Sequence, residues 1–213
     1  VLLFVNEESL FVWSGFNVME SIEFDEFNFE TRKWSVREIE RESGKRAASF
    51  VSDPNGEYGY IFGSTKGHPV TRFNEENQAF EILKCSGTAP PPGLTNAMLT
   101  IAGDFMFVFG GEMPDSNYSY LYALDLKRLY WFPFYVLPDN KTTVYEDGEV
   151  TNQSIFKLPR QHSGAFAYST NTRSLISTMG SLFLEPSPIS IIYIGNAMAV
   201  LNHRSDMLDI LYM

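Results

Sequence analysis

FMFVFGGEMPDSNYSYLYALDLKRLYW, residues 105–131, joins an apolar run to a double glycine and a polar loop, then to a second apolar run that closes on Asp125. Trp131 follows that carboxylate by six residues. A glycine pair after a strand can cradle phosphate, form a catalytic turn or mark one copy of a structural repeat. Phosphate loops need G-x-G-x-x-G or G-x-x-x-x-G-K-[ST] spacing, which wraps backbone amides around the anion. Neither occurs in the chain, and FGSTKG at residues 62–67 has a lysine near glycines without that spacing.

The repeat reading has direct support. Asp125 and Trp131 have counterparts in Asn74 with Phe80 (RFNEENQAF) and in Asn28 with Trp34 (FNFETRKW), each pair six residues apart. The first half recurs as well: FVWSG ends at Gly15, YIFGS runs through Gly63, FVFGG ends on Gly110-Gly111, and a looser LISTMGS contains Gly180. Each copy follows another short apolar run (LLFV, AASFV, AMLTIA, SGAFAYS), with turn sequences between. The unit is therefore four short strands, here a to d, in about 50 residues, which is the form of a propeller blade. Asp or Asn at the end of strand c accepts backbone amide bonds and fixes the c–d reversal. The aromatic of strand d is expected to wedge between neighbouring blades.

This pattern resembles the kelch repeat. Two linkers strengthen the resemblance: LPRQHSGAFA, residues 158–167, is similar to the Pro-Arg-x-x-His-Ser lead-in of a kelch first strand, and CSGTAPPPGLTNAM, residues 85–98, is similar to a Gly-x-x-Pro-Pro linker. GKRAASF, residues 44–50, is a weaker lead-in. The copies are degenerate, since only Gly110-Gly111 is a full pair, Asn replaces Asp twice and Phe80 replaces one Trp. The expected fold is all-β, a kelch-like β-propeller of four-stranded antiparallel blades. Four blades are expected, near residues 1–34, 46–80, 93–134 and 159–200, with an insertion at 138–157. Kelch propellers have six or seven blades, and the chain begins at Val1 rather than Met. Both lead us to expect an incomplete propeller, completed by other blades of the same polypeptide or by other subunits. At the C-terminal end SIIYIG and AMAVL read as strands, and SDMLDILYM as a terminal helix capped by Ser205.

Composition narrows the function classes. A formal charge of −10 and a pI near 4.8 argue against nucleic acid and an anionic membrane as partners. Cys85 is the one cysteine, so no internal disulfide forms and a cytoplasmic setting is expected. His68, His162 and His203 lie far apart in sequence, which leaves no zinc-ligand spacing. His162 and Ser163 are adjacent without a G-x-S-x-G elbow. The acidic DNKTTVYEDGE at residues 139–149 lacks calcium-loop spacing. No catalytic residue, metal or cofactor is expected.

The expected function is a non-catalytic adaptor that binds a protein partner through its b–c and d–a loops, at residues 15–21, 35–45, 63–69, 112–119, 137–157 and 181–188. Arg46, Lys66, His68, Glu112, Asp115, Asn117, Tyr118 and His162 are the candidate partner-binding residues on those loops and lead-ins. Arg160 matches the arginine of the kelch lead-in. In some kelch adaptors the residue two after this arginine lines a peptide pocket. Here those positions are Ala48 and His162, a poor match for an anionic peptide. Two other readings stay open: a propeller enzyme of the sugar isomerase or oxidase class, and a propeller appended to a catalytic domain outside the chain.

Overall fold

The computed structural model describes residues 2–5, 7–13, 22–39, 49–63, 70–74, 76, 79–113, 116–117, 120–135, 158, 161–182, 185–186 and 189–211. They form a row of antiparallel sheets in sequence order. Sheet one is β1 (Leu2–Val5), β2 (Ser9–Trp13), β3 (Ile22–Asn28) and β4 (Lys33–Ile39). Sheet two is β5 (Ser49–Ser52), β6 (Tyr58–Phe62), β7 (Thr71–Asn74) and β8 (Ala79–Ile82). A short β9 (Ser86–Gly87) leads to sheet three: β10 (Met98–Ala102), β11 (Phe105–Phe109), β14 (Leu121–Asp125) and β15 (Tyr130–Phe134). Between its two halves lies a ribbon of β12 (Glu112–Met113) and β13 (Ser116–Asn117). Sheet four has three strands, β16 (Ala165–Ser169), β17 (Ser174–Thr178) and β20 (Ser190–Tyr193), with a ribbon of β18 (Ser181–Leu182) and β19 (Glu185–Pro186). Helix α1 (Gly195–Leu211) follows. The first strands stand side by side: β1 beside β5, β5 beside β10, β10 beside β16.

The c–d turn forms as its residues dictate. Asp125, fully buried, accepts from the amides of Lys127 at 2.8 Å and Arg128 at 2.9 Å, and from the Arg128 guanidinium at 3.2 Å. Asn28 accepts from the Thr31 amide at 2.8 Å. Both turns end on a left-handed residue, Arg32 (φ 54°) and Leu129 (φ 53°), so one local device is built twice. Asn74 ends β7 in the same register, with Phe73 opposite Phe80 as Leu124 is opposite Trp131.

The glycines do what crowding requires. Gly63 has φ +85°, and a Cβ there would lie 2.6 Å from the carbonyl oxygen of Leu94, in the lead-in to sheet three. Gly110 has φ +67°, and a Cβ there would overlap the carbonyl oxygen of Gln161, in the lead-in to sheet four. Gly111 donates its amide to that same oxygen at 2.8 Å. The relation is the same at both junctions.

Sheet three is buried on both faces. Toward sheet two, Leu99, Ile101, Met106, Val108, Leu124 and Trp131 pack against Tyr60, Phe62 and Val70. Toward sheet four and the helix, Phe105, Phe107, Phe109, Leu121 and Phe132 pack against Leu175, Ile192, Ile194 and Leu201. Two-sided burial explains why AMLTIA and FMFVF are continuous apolar runs. Trp131, only 3% exposed, meets the Phe62 ring edge-on at 5.7 Å.

Several expectations require correction. Trp34, at the position of Trp131, is 59% exposed and packs on its own sheet's Phe27 at 5.1 Å. Residues 35–39, expected as loop, continue β4. The linker at 85–98 contributes β9, which pairs parallel with β15, and the linker's Thr88 amide donates to the Trp131 carbonyl at 3.2 Å. The stretch AMAVL is helical, and Ser205 lies inside α1 with a buried hydroxyl rather than at its cap. The physical reason is a substitution in register: Tyr193 stands opposite Ser174 where Asp125 stands opposite Phe105. Tyr193 has no short carboxylate or amide of the Asx type there, and the chain enters helix α1 instead.

A differential stability test follows. In dilute solution Trp131→Ala should lower unfolding stability by about 3–5 kcal/mol, whereas Trp34→Ala should lower it by less than about 1 kcal/mol. Urea unfolding of the two variants measures this, and equal losses would contradict the placement of both rings.

Candidate interaction surface

The a–b and c–d turns lie at one end of the sheets, where the Leu126 amide bonds the Asp104 carbonyl at 2.9 Å. The b–c loops and the lead-ins to the first strands lie at the other end, here the loop end. Two candidates from distant parts of the sequence meet there. Glu112 follows the glycine pair of sheet three, and His162 lies in the lead-in to sheet four. His162 Nε2 stands 3.0 Å from Glu112 Oε1. Asn96 Nδ2 donates to Glu112 Oε2 at 2.7 Å, and His162 Nδ1 stands 3.2 Å from Ser163 Oγ.

The backbone beneath is as firmly held. Glu112 and Thr95 exchange amide bonds at 2.8 and 2.9 Å, and the Ser163 amide bonds the Asn96 carbonyl at 2.9 Å. Asn96 (φ 52°) and Ser163 (φ 54°) each take a left-handed conformation two residues before a first strand. Gln161, which sequence reasoning passed over, is fully buried and accepts the Ser177 hydroxyl at 2.7 Å. With its carbonyl on Gly111, it ties the sheet-four lead-in to sheet three. Asn96 was also missed, because its role depends on a contact with Glu112 sixteen residues away.

The line Ser163–His162–Glu112 has the order of a nucleophile relay. With the proton on Nε2, the imidazole donates to Glu112 and its Nδ1 accepts the Ser163 hydroxyl. Acyl transfer also needs amide donors aimed at an oxyanion. The Ser163 amide is already committed to the Asn96 carbonyl. The geometry is that of a braced polar knob on a loop surface.

At the same end of the sheets, sheet three presents two tyrosines absent from the sequence-based candidates. Tyr120 and Tyr135 lie one residue beyond the paired Leu121 and Phe134, and they are 50% and 58% exposed. Rigid, exposed tyrosines are favoured contact residues because they offer large area with few torsions to freeze. Their signal in the sequence was a break in alternation at the strand ends.

The remaining candidates divide plainly. Gly63, Gly110, Gly111, Asn28, Asn74, Phe80, Asp125 and Trp131 are structural positions of the repeat, and Phe80 packs on Phe73 at 5.0 Å. Asn117 lies in β13 opposite Glu112. Gly15, Arg46, Ala48, Lys66, His68, Asp115, Tyr118, Arg160 and the insertion at 138–157 lie outside the described residues. Among the described residues no three His, Cys, Asp or Glu side chains gather as metal ligands, and no helix is long and apolar enough to cross a membrane.

The shifted ionisations lie away from this surface. Burial pushes the Cys85 thiol up to about 11, so it is a poor nucleophile at neutral pH. Burial likewise raises Tyr60. Burial pulls Arg72 down, but its 2.6 Å bond to Glu81 and that carboxylate's charge leave it raised overall.

No protein-family model and no curated protein matches the chain. In fold it is similar to the solved structure of YjhT, with a TM-score of 0.56 at 13% identity, over 91% of this chain and 81% of that one. The likeness concerns the fold alone.

The glycine that positions Glu112 offers a test. Gly110→Ala combines a left-handed φ with overlap on the Gln161 carbonyl and should cost at least about 3 kcal/mol. Gly93→Ala, at φ +82° but with nothing within 4 Å, should cost about 1 kcal/mol. Equal costs in urea unfolding would show that the close approach to Gln161 is not what requires glycine.

Proposed function

We propose that this chain is a propeller-type, kelch-like interaction scaffold without catalytic activity, which binds a protein partner at its loop end and works as a cytoplasmic adaptor. One observation carries the reading: Glu112, after the glycine pair of sheet three, and His162, in the lead-in to sheet four, are braced together at the loop end, where exposed Tyr120 and Tyr135 also lie. A preformed polar knob with flanking aromatics is the anatomy of a contact patch, because little side-chain entropy is lost on binding. The row of first strands and the sequential antiparallel sheets support a propeller-type arrangement. The acidic character of the chain favours a partner with a basic face.

The relay order of Ser163, His162 and Glu112 favours a second reading, hydrolysis at the same place. One pair of measurements separates the two. Partner capture should fall at least about tenfold in a Glu112→Ala, His162→Ala, Tyr120→Ala variant that keeps its unfolding transition. Ser163 should resist a fluorophosphonate probe. Undiminished capture would sink the scaffold reading at this surface, and stoichiometric labelling of Ser163 would establish the hydrolase.

A further inference from the structure

Asn55 and Gly56 form the one Asn-Gly pair in the chain, at the tip of the hairpin between β5 and β6. The turn is closed by the Asp53 amide on the Tyr58 carbonyl at 2.7 Å and by the Gly56 amide on the Asp53 carbonyl at 3.0 Å. Asp53 Oδ1 also accepts the Asn55 amide at 3.3 Å, an Asx turn that braces the residue between them. Pro54 fixes the torsion before Asn55, and Gly56 takes φ +77° after it, a region that glycine enters without strain.

Two features set Asn55 apart from Asn28 and Asn96. Its side-chain amide is exposed and has no hydrogen-bond partner among the described residues, whereas Asn28 accepts the Thr31 amide and Asn96 donates to Glu112. The residue after it also has no side chain to obstruct the backbone nitrogen, whereas Phe29 and Ala97 follow the other two. The Asn55 carboxamide carbon and the Gly56 nitrogen can therefore close a five-membered ring, with proximity supplying a high effective concentration.

We propose that Asn55 is a self-modification site, converted to aspartate and isoaspartate at a rate that its turn restrains. The Gly56 nitrogen attacks Asn55 Cγ. The N–Cγ bond forms, the Cγ–Nδ2 bond breaks, and ammonia leaves carrying the proton that Gly56 gave up. Water then opens the succinimide. Attack at Cγ yields aspartate with the chain unaltered, and attack at the main-chain carbonyl yields isoaspartate with Cβ inserted into the backbone. The restraint comes from Asp53. Its carbonyl holds the N–H that must be lost, and its carboxylate disfavours the nitrogen anion that forms. The reaction therefore proceeds through local opening of the turn. Each conversion adds one negative charge to the formal −10, and the isoaspartate form lengthens the turn that sets Ser52 opposite Gly59.

The test is incubation of the protein in warm neutral buffer, followed by ion exchange and peptide mapping. Methyl transfer from S-adenosylmethionine by an isoaspartyl methyltransferase reads the isoaspartate. Asn55 should convert ahead of every other asparagine. Asp53→Ala removes the side-chain brace and its charge, and should quicken conversion at least about threefold. Unfolding in urea should quicken the wild type by at least as much. Asn55→Gln, whose closure needs a larger ring, should abolish the new charge variant. Far-UV circular dichroism confirms that both variants fold. The proposal is overturned if Asn55 stays intact, or converts no faster than Asn28 and Asn96. Equal rates in wild type, in Asp53→Ala and in urea would overturn it as well, because the turn would then restrain nothing.

Discussion

The architecture depends on how closely one sheet's glycine approaches the next sheet's lead-in. At Gly63 the neighbour is the Leu94 carbonyl, and at Gly110 it is the Gln161 carbonyl. No side chain fits between, and the positive φ turns the backbone out of strand b without strain only for glycine. This contact sets the spacing at which Phe62 meets Trp131 and Phe109 meets Phe166, both at 5.7 Å. It also delivers Glu112, the next residue but one after Gly110, to the loop surface where His162 arrives from the neighbouring sheet.

Sheet four shows the same constraint relaxed. By register Met179 occupies the position of Gly110 and keeps its left-handed conformation, at φ 60° against 67°. There a side chain is accommodated and lies 74% exposed. Glycine is thus demanded by the approach of a neighbour, and backbone conformation alone does not require it.

The repeat was legible because each of its marks answers a local need. The Asx acceptor at Asn28 and Asp125, the glycine at a crowded crossing and the strand-d aromatic each act within a few residues of their own position. These marks fall in three successive antiparallel sheets. The aromatic mark was ambiguous about burial: Trp34 and Trp131 read alike, yet Trp34 is exposed and Trp131 is buried against Phe62. The β9 strap was hidden for a related reason, since CSGTAPPP looks like a linker until Trp131 offers its carbonyl.

The candidate surface was half legible. Glu112 and His162 stood out as loop and lead-in residues, but their pairing is a contact between sheets that no spacing encodes. Gln161 and Asn96 were invisible as functional supports because amides read as ordinary loop residues. The C-terminal misreading is the more instructive. AMAVL has the composition of a strand, and the first three sheets prepare the reader for a fourth strand there. What decides is Tyr193 at the position of Asp125. An aromatic cannot accept the two amides that close the turn, so the backbone donors after Ile192 must find other acceptors. A helix supplies them internally, beginning with the Met198 amide on the Ile194 carbonyl at 2.8 Å. The helix then returns Ala197, Met198 and Leu201 to the core shared by sheets three and four, taking up on one face the packing that a fourth strand would have made in the sheet.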